Sequence, residues 1–163
     1  MELAIISSGS NLGNRLLHLK LALDYVKEKI GTLDLSSNVY QTAAWGKTDQ
    51  PDFLNQVFGV YTDLNPNAIM DELLKIELLM GRKRVEKWGP RSIDLDLLYC
   101  GNKQIQNERL TLPHPEIANR RFILTPLCEN YSTLLHPILR ISQQKLLESC
   151  KDEGVVSIYK SDK

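Results

Sequence analysis

The chain of 163 residues lacks several features that would assign it to a class at once. Its three cysteines, Cys100, Cys128 and Cys150, are too few and too widely spaced for a disulfide framework or a structural zinc site. Its 20 basic and 20 acidic residues cancel, so we expect no general nucleic-acid or membrane partner. It has no apolar run of membrane-spanning length, and its first residues lack a signal-peptide pattern. We therefore expect a cytoplasmic protein.

Two common nucleotide-binding motifs are also missing. The loop at residues 9–15 lacks the Gly-Lys-Ser/Thr ending of a phosphate-binding P-loop. No Gly-x-Gly-x-x-Gly pattern for a dinucleotide is present either. If ATP binds, side chains and a metal ion must hold its phosphates.

The hydrophobic pattern predicts one domain, residues 1–163, in which strands and helices alternate. The link at residues 41–52 is too short and polar for a crossover helix, which favours an antiparallel or mixed sheet over a doubly wound parallel one. The fold is expected to be an α/β or α+β sandwich with helices covering the sheet.

Strands are predicted at residues 3–7, 33–40, 53–61, 92–99 and 155–159. A first helix, with Asn11 or Asn14 as its cap, is predicted from an apolar stripe that runs from Leu16 to Ile30. Further helices are predicted at residues 66–80, with Asn65 as cap, and at residues 120–129 and 142–150.

The sharpest chemical feature is the pair Asp94 and Asp96 in a predicted strand. Side chains alternate between the faces of a strand, so both carboxylates share one face. Two neighbouring carboxylates repel each other unless a cation or hydrogen bonds compensate, and Mg²⁺ held by two carboxylates plus phosphates is a common arrangement. The plain alternative is a solvated strand face with two acids.

A basic segment lies just upstream of the acid pair. It contains one acid, Glu86, among the basic residues Arg82, Lys83, Arg84, Lys87 and Arg91. Arginine forks match phosphate oxygens in pairs, so this segment followed by two acids indicates metal-bound polyphosphate. Because glycines flank the segment, it could close over a substrate. The alternative is a charged flexible loop.

Phe53 and Asn55 form a third feature. They lie two residues apart and share a strand face, where an aromatic ring and an amide can bind a flat heterocycle. The alternative is a core phenylalanine beside a structural asparagine. His114 lies between two prolines in a stiff extended segment and could contact a nucleotide, although a structural role is the usual outcome.

These segments together resemble the 6-hydroxymethyl-7,8-dihydropterin pyrophosphokinase family over nearly the whole chain. The most specific part is the run 87–98, Lys-Trp-Gly-Pro-Arg-Ser-Ile-Asp-Leu-Asp-Leu-Leu. Supporting pieces are Gly-Ser-Asn-Leu at 9–12, residues 49–55, Ile-Glu at 76–77, Glu-Arg-Leu-Thr-Leu-Pro-His at 108–114, and Asn119, Arg120 and Phe122.

The resemblance implies a ferredoxin-like αβα fold of the α+β class with a mainly antiparallel sheet. It implies transfer of pyrophosphate from ATP to the pterin hydroxymethyl group in folate synthesis. Asp94 and Asp96 would bind two Mg²⁺, while Arg82 and Arg84 would close over the site. ATP would contact or lie near Glu77, Arg82, Arg84, Lys87, Trp88, Arg91, Leu97, Arg109, Thr111, His114 and Arg120. The pterin would lie between Phe53 and Phe122 and be read by Asn55 with backbone groups of Thr42, Ala43 and Trp45.

The chain departs from the family pattern in four places. Lys87, Phe53 and Pro115 stand where arginine, tyrosine and an aromatic residue are frequent, and Ala-Ala-Trp at 43–45 replaces Pro-Pro-Leu. None of these changes removes an expected metal ligand. No strong general base is evident, and Asp96 is a candidate only. A monomer is expected, and the two rival classes are a metal-dependent phosphohydrolase or nuclease and a non-catalytic nucleotide-binding module.

Overall fold

The computed structural model describes residues 1–43, 49–82 and 91–160. In that part of the chain the strands are β1 (Glu2–Ser10), β2 (Thr32–Ser36), β3 (Tyr40–Thr42), β4 (Phe53–Thr62), β5 (Asp94–Cys100), β6 (Ile105–Gln106), β7 (Thr111–Leu112) and β8 (Val156–Ile158). The helices are α1 (Arg15–Lys29), α2 (Pro66–Leu79), α3 (Arg121–Tyr131) and α4 (Gln143–Glu148), with a 3₁₀ turn at Ile117–Asn119.

Six strands form one sheet in the order β5-β1-β4-β3-β8, and β2 pairs with β4 beside β3. The strand pairs of this sheet are antiparallel. β4 lies between β1 and β2–β3, and each of α1 and α2 connects two strands that are not adjacent. This is the ferredoxin-like arrangement, and it confirms the predicted α+β class with an antiparallel sheet.

Local sequence signals set the helix ends. Asn14 caps α1 by accepting a hydrogen bond from the Leu17 amide at 3.2 Å. Asn65 caps α2 in the same way, with Pro66 at the first helical position. Gly81 follows α2 with a φ of +79°, a left-handed conformation that suits glycine. The predicted caps of both helices are confirmed.

The sheet has a core on each face. On one face, α1 and α2 pack over Ile6, Phe58 and Leu97. On the other face, α3 packs over Ile5, Val57 and Tyr99. Successive residues of β1 and β4 thus belong to opposite cores, because side chains alternate between the two faces of a strand.

Two predictions about local structure were wrong. The strand predicted at residues 33–40 is interrupted between β2 and β3, where Ser37 instead hydrogen-bonds to the Val57 amide at 3.0 Å. Leu16, predicted on the apolar stripe of the first helix, is 42% exposed because α1 buries only one narrow side. Among the described residues, no helix is both long enough and apolar enough to cross a membrane.

Candidate active site

Among the described residues, α3 and its neighbours cover only part of their face of the sheet, and the rest of that face forms a cleft. The cleft has a volume of about 690 Å³, including the part open to solvent. Its floor is made by β1, β4 and β5, while Phe122 and Ile123 at the start of α3 contribute a wall. With Thr42 of β3, residues of five elements therefore meet where the second core ends.

A row of residues crosses the cleft floor from strand to strand. Asp94 of β5 is opposite Gly9 of β1, and Gly9 is opposite Asn55 of β4. Cross-strand neighbours on one face have Cβ atoms about 5 Å apart, so a side chain at position 9 would fill the space between the acid and the amide. A Cβ atom on Gly9 would lie 2.9 Å from Oδ1 of Asn55. Gly9 therefore keeps the floor open.

Gly9 and Ser7 also line the cleft, and neither is among the predicted site residues. A glycine at the end of an apolar strand was the available signal, since glycine in a strand often marks a close approach. Only the register of β1 against β4 and β5 shows what approaches it.

Two arginines hold Asp94 at one end of the cleft. Nη1 of Arg82 donates to Oδ1 of Asp94 at 2.9 Å, and Nη1 of Arg91 donates to Oδ2 at 2.9 Å. The Arg82 side chain is only 8% exposed, so it lies in the wall of the site. The two ends of the predicted basic segment therefore meet at the first acid of β5.

Glu77 on α2 holds Arg82 from the other side. Its carboxylate accepts from Nη1 of Arg82 at 2.5 Å and from the Leu95 amide at 2.9 Å. Burial raises the pKa of Glu77, while the Leu95 amide and Arg82 oppose that shift. Glu77 thus orients Arg82 from within the protein interior.

The surroundings of Asp96 disfavour its negative charge. Burial raises the pKa of Asp96, and the nearby carboxylates of Asp94 and Glu77 raise it further, whereas Arg120 and Arg82 partly offset this. An added cation would relieve this repulsion.

The donor set fits magnesium bound together with phosphate. Within residues 1–43, 49–82 and 91–160, no group of three or more His, Cys, Asp or Glu side chains could hold a metal ion. Mg²⁺ is commonly held by one or two carboxylates, with water and substrate phosphates completing its shell. Asp94 and Asp96 are such a pair, and both line the cleft.

The opposite end of the cleft is lined by two aromatic rings and an amide. Phe53 reaches it from β4 and Phe122 from α3, and both rings are half-buried. Asn55 is buried, and its Nδ2 donates to Oγ1 of Thr42 at 2.8 Å, which fixes the plane of the amide. The Arg120 guanidinium lies 5.7 Å from the centre of the Phe122 ring. This end suits a flat heterocycle with polar edges.

A second recess lies beside the acid pair, at the free edge of β5. It is lined by Asp96, Leu97, Arg109, Thr111 and His114. Backbone pairing positions it, since the His114 amide donates to the Leu98 carbonyl at 3.0 Å. Asp96 lines both recesses and so marks where they meet.

Two side chains of this recess have local partners. Arg109 pairs with Asp71 of α2. Nδ1 of His114 accepts a hydrogen bond from the Glu116 amide at 3.2 Å. Burial, reinforced by the charge of Arg120, lowers the pKa of His114.

The structure brings most residues of the predicted site to these two recesses. Phe53, Asn55, Thr42, Ala43 and Phe122 lie at one end, and Asp94, Asp96, Arg91 and Arg120 line the same cleft. Leu97, Arg109, Thr111 and His114 line the second recess, while Arg82 and Glu77 lie behind Asp94. The predictions for Trp45, Arg84, Lys87 and Trp88 concern positions outside the described residues.

Comparisons with known proteins identify the family of this chain. The sequence model of the family "7,8-dihydro-6-hydroxymethylpterin-pyrophosphokinase (HPPK)" matches residues 5–132. The chain is 43% identical to the 2-amino-4-hydroxy-6-hydroxymethyldihydropteridine pyrophosphokinase of Haemophilus influenzae, over 97% of this chain and 99% of that protein. It is 36% identical to the Aquifex aeolicus protein of the same name, over 98% of this chain and 96% of that one.

A solved structure supports the fold. The wild-type Plasmodium falciparum HPPK-DHPS chain superposes with a TM-score of 0.73 at 19% identity. The match covers 91% of this chain but only 43% of that longer one. The family sequence model matches most of this chain, and two relatives align with it almost end to end. This chain therefore belongs to the 7,8-dihydro-6-hydroxymethylpterin-pyrophosphokinase family.

Proposed function

We propose that the cleft binds magnesium-bound ATP at its acid end and the pterin at its aromatic end. The chain is an ATP-dependent pyrophosphokinase of folate biosynthesis that transfers pyrophosphate from ATP to the hydroxymethyl group of 6-hydroxymethyl-7,8-dihydropterin. The observation that supports the site assignment is the strand row Asp94–Gly9–Asn55, in which an acid and an amide face the same floor of the cleft.

ATP is proposed to lie between the acid pair and the second recess. Asp94 and Asp96 would hold two Mg²⁺ with the phosphates, and bound magnesium supplies charge neutralisation at the phosphate oxygens. Arg82, Arg91 and Arg120 lie at or near this end and can contact the phosphates. The edge recess, with Leu97, Thr111 and His114, would take the nucleoside. Beyond the described residues, Arg84, Lys87 and Trp88 are proposed to join the ATP site.

The pterin is proposed to lie between Phe53 and Phe122. Asn55, fixed by Thr42, would hydrogen-bond the pyrimidine edge, with backbone groups at Ala43 and Trp45 completing the reading. A site built to hydrogen-bond a heterocycle rejects analogues without the matching groups, because its own polar atoms are then left unpaired.

Positioning and electrostatics would supply most of the catalysis. The hydroxymethyl oxygen attacks the β-phosphorus in line and loses its proton, for which Asp96 is the candidate acceptor. The bond from that phosphorus to the bridging oxygen of the α-phosphate breaks, and AMP leaves. Holding the two reactants at opposite ends of one cleft makes the step effectively unimolecular. Arginines that neutralise charge developing on the phosphoryl oxygens lower the barrier further. We also propose that the enzyme acts as a monomer in the cytoplasm.

A product assay tests this function. The reaction with ATP, Mg²⁺ and 6-hydroxymethyl-7,8-dihydropterin should form AMP one-for-one with the pterin diphosphate, and chelation of Mg²⁺ should stop it. ADP or free phosphate in place of AMP would indicate a phosphohydrolase, which the same acids could support. ATP binding without turnover would indicate a non-catalytic nucleotide-binding module.

A further inference from the structure

The first turn of α3 is capped by a residue from a distant part of the chain. An arginine, Arg120, stands where helices favour Ser, Thr, Asp or Asn as their own cap. Oδ2 of Asp152 accepts from the Arg121 amide at 3.0 Å. A carboxylate here satisfies an amide that the helix itself cannot pair and interacts favourably with the helix dipole. Asp152 lies beyond residues 5–132, the part of the chain that the family sequence model matches.

Arg121 and Asp152 hold each other's backbone. Nε of Arg121 donates to the Asp152 carbonyl at 2.7 Å, and Nη2 donates to the Cys150 carbonyl at 3.3 Å. The carboxylate of Asp152 is oriented by a second bond, because its Oδ1 accepts from the Gly154 amide at 2.9 Å. The Arg121 side chain therefore fixes the segment that carries Asp152, and Asp152 fixes the start of α3.

Structured elements hold the Asp152 segment on both sides. α4 precedes it and packs against α3. β8 follows it and pairs with β3, where Val156 is opposite Thr42. The Tyr159 amide extends this pairing by donating to the Val39 carbonyl at 2.8 Å. Asp152 is thus a fixed point against which the first turn of α3 is set.

The two neighbours of Arg121 line the cleft. Phe122 contributes the wall at the aromatic end, and Arg120 lines the same cleft. Because the Arg121 amide lies between them in the chain, a shift of its backbone would move both side chains.

We infer that Asp152 is a positioning residue for the reaction, which fixes the start of α3 so that Phe122 meets the pterin and Arg120 faces the phosphates. The inference rests on the proposed assignment of the pterin to Phe53 and Phe122. Small misplacements of groups that hold a substrate are costly, because the reacting atoms then lose their alignment.

The experiment measures the dissociation constant of 6-hydroxymethyl-7,8-dihydropterin and kcat in folded variants. Asp152→Ala should raise the dissociation constant about fivefold, as expected for a weakened ring contact, and lower kcat about tenfold. Asp152→Asn keeps an acceptor oxygen for the Arg121 amide, and asparagine caps helices as well as aspartate, so it should restore most of both quantities. Arg121→Ala releases the Asp152 segment and should reproduce the effect of Asp152→Ala. The double variant should be no worse than either single one, because the two residues act through one contact.

Glu129→Ala is the matched control. Glu129 also fastens α3 with a carboxylate, but near the other end of the helix, where it accepts from the Asn38 amide at 3.0 Å and the Tyr40 hydroxyl at 2.8 Å. The control should lower the unfolding free energy and keep the wild-type pterin affinity and kcat. Gly154→Ala retains the amide that orients Asp152 and leaves the Oδ2 bond in place, so it should keep them too.

The outcomes separate positioning from plain stabilisation. Wild-type pterin affinity in folded Asp152→Ala overturns the inference, and so does an equal loss of affinity in Glu129→Ala. Additive effects of Asp152→Ala and Arg121→Ala also contradict it. If Asp152→Ala does not fold, Arg121→Ala decides by the same measurements. If Phe122→Ala leaves pterin affinity unchanged, the proposed site assignment itself fails, whereas a loss in Phe122→Ala without one in Asp152→Ala refutes only the role of Asp152.

Discussion

The two faces of the sheet differ in what covers them. α1 and α2 cover one face, where Ile6, Phe58 and Leu97 are each at most 2% exposed. On the other face α3 covers Ile5, Val57 and Tyr99, and in the part of the chain that the structure describes the neighbouring ends of β1, β4 and β5 line a cleft.

The comparison shows how one strand serves stability and chemistry together. In β5, Leu95 is 3% exposed in the core, whereas Asp94 and Asp96 on either side of it line the cleft. Because successive side chains point to opposite faces of a strand, the same few residues serve both roles. Substitutions of adjacent residues should therefore have different kinds of effect, and the following predictions test that division.

The largest effect is expected from Asp96→Asn. The substitution removes a carboxylate that is proposed to hold the Mg²⁺ neutralising the phosphate charge. It should lower kcat by about 10³-fold, since metal-assisted charge stabilisation is worth several kcal/mol. The unfolding free energy in metal-free buffer should stay level or rise, because a buried carboxylate among other acids is removed. Turnover assays and urea unfolding measure both quantities. Asp63→Asn is the control at an exposed acid, and near-wild-type turnover of Asp96→Asn would sink the metal assignment.

Asn55→Ala should have the next largest effect. The substitution removes the amide proposed to read the pterin, so kcat/KM for the pterin should fall by about 30-fold, or roughly 2 kcal/mol. The KM for ATP should change little. Asn65→Ala is a matched control, because it removes another hydrogen-bonded asparagine, the cap of α2. That control should cost about 1 kcal/mol of stability and leave the pterin kinetics intact; equal kinetic effects of the two variants would contradict the site.

Gly9→Ala should have a smaller effect of the same kind. The new Cβ atom would lie 2.9 Å from Oδ1 of Asn55 and would narrow the floor of the cleft. We expect the KM for the pterin to rise by about tenfold, a cost of about 1.4 kcal/mol. Gly154→Ala is the control, since its Cβ atom would meet only the Asp152 side chain. If the Gly9→Ala enzyme has a normal pterin KM, the row Asp94–Gly9–Asn55 does not form the floor of the pterin site.

Arg109→Ala should have the smallest effect. Arg109 is 55% exposed and pairs with Asp71, so its ion pair should contribute less than about 1 kcal/mol to stability. The KM for ATP should rise by less than tenfold, while the pterin KM stays unchanged. Asp71→Ala breaks the same ion pair without removing the arginine, so it should not raise the KM for ATP. A change confined to the pterin KM would contradict the assignment of Arg109 to the ATP site.

The order of elements could be predicted from the sequence because it depends on local signals. Hydrophobic period and helix caps such as Asn14 and Asn65 gave the strands and helices, and alternation alone placed Asp94 and Asp96 on one face. The break between β2 and β3 could not be predicted in this way, since it depends on how that edge pairs with β4.

The part of the site that could not be predicted from the sequence is formed by strand register and by contacts between residues distant in sequence. Asn11 was considered as a helix cap, but its side chain bridges residues 50–51 and 91, which are distant in sequence. Arg82 was interpreted as part of a closing segment, yet its side chain is buried between Glu77 and Asp94. Such partners become evident only once the sheet has brought the segments together.

The most direct test of the two-face account compares the same substitution on both faces of β4. Phe58→Ala should lower the unfolding free energy by about 3–5 kcal/mol and leave pterin affinity intact in the folded protein. Phe53→Ala, on the cleft side, should lower pterin affinity about tenfold or more and cost much less stability. Pterin titration and urea unfolding of both variants provide the measurement. If Phe53→Ala destabilises the protein as strongly as Phe58→Ala and leaves pterin affinity unchanged, the division between the faces is wrong.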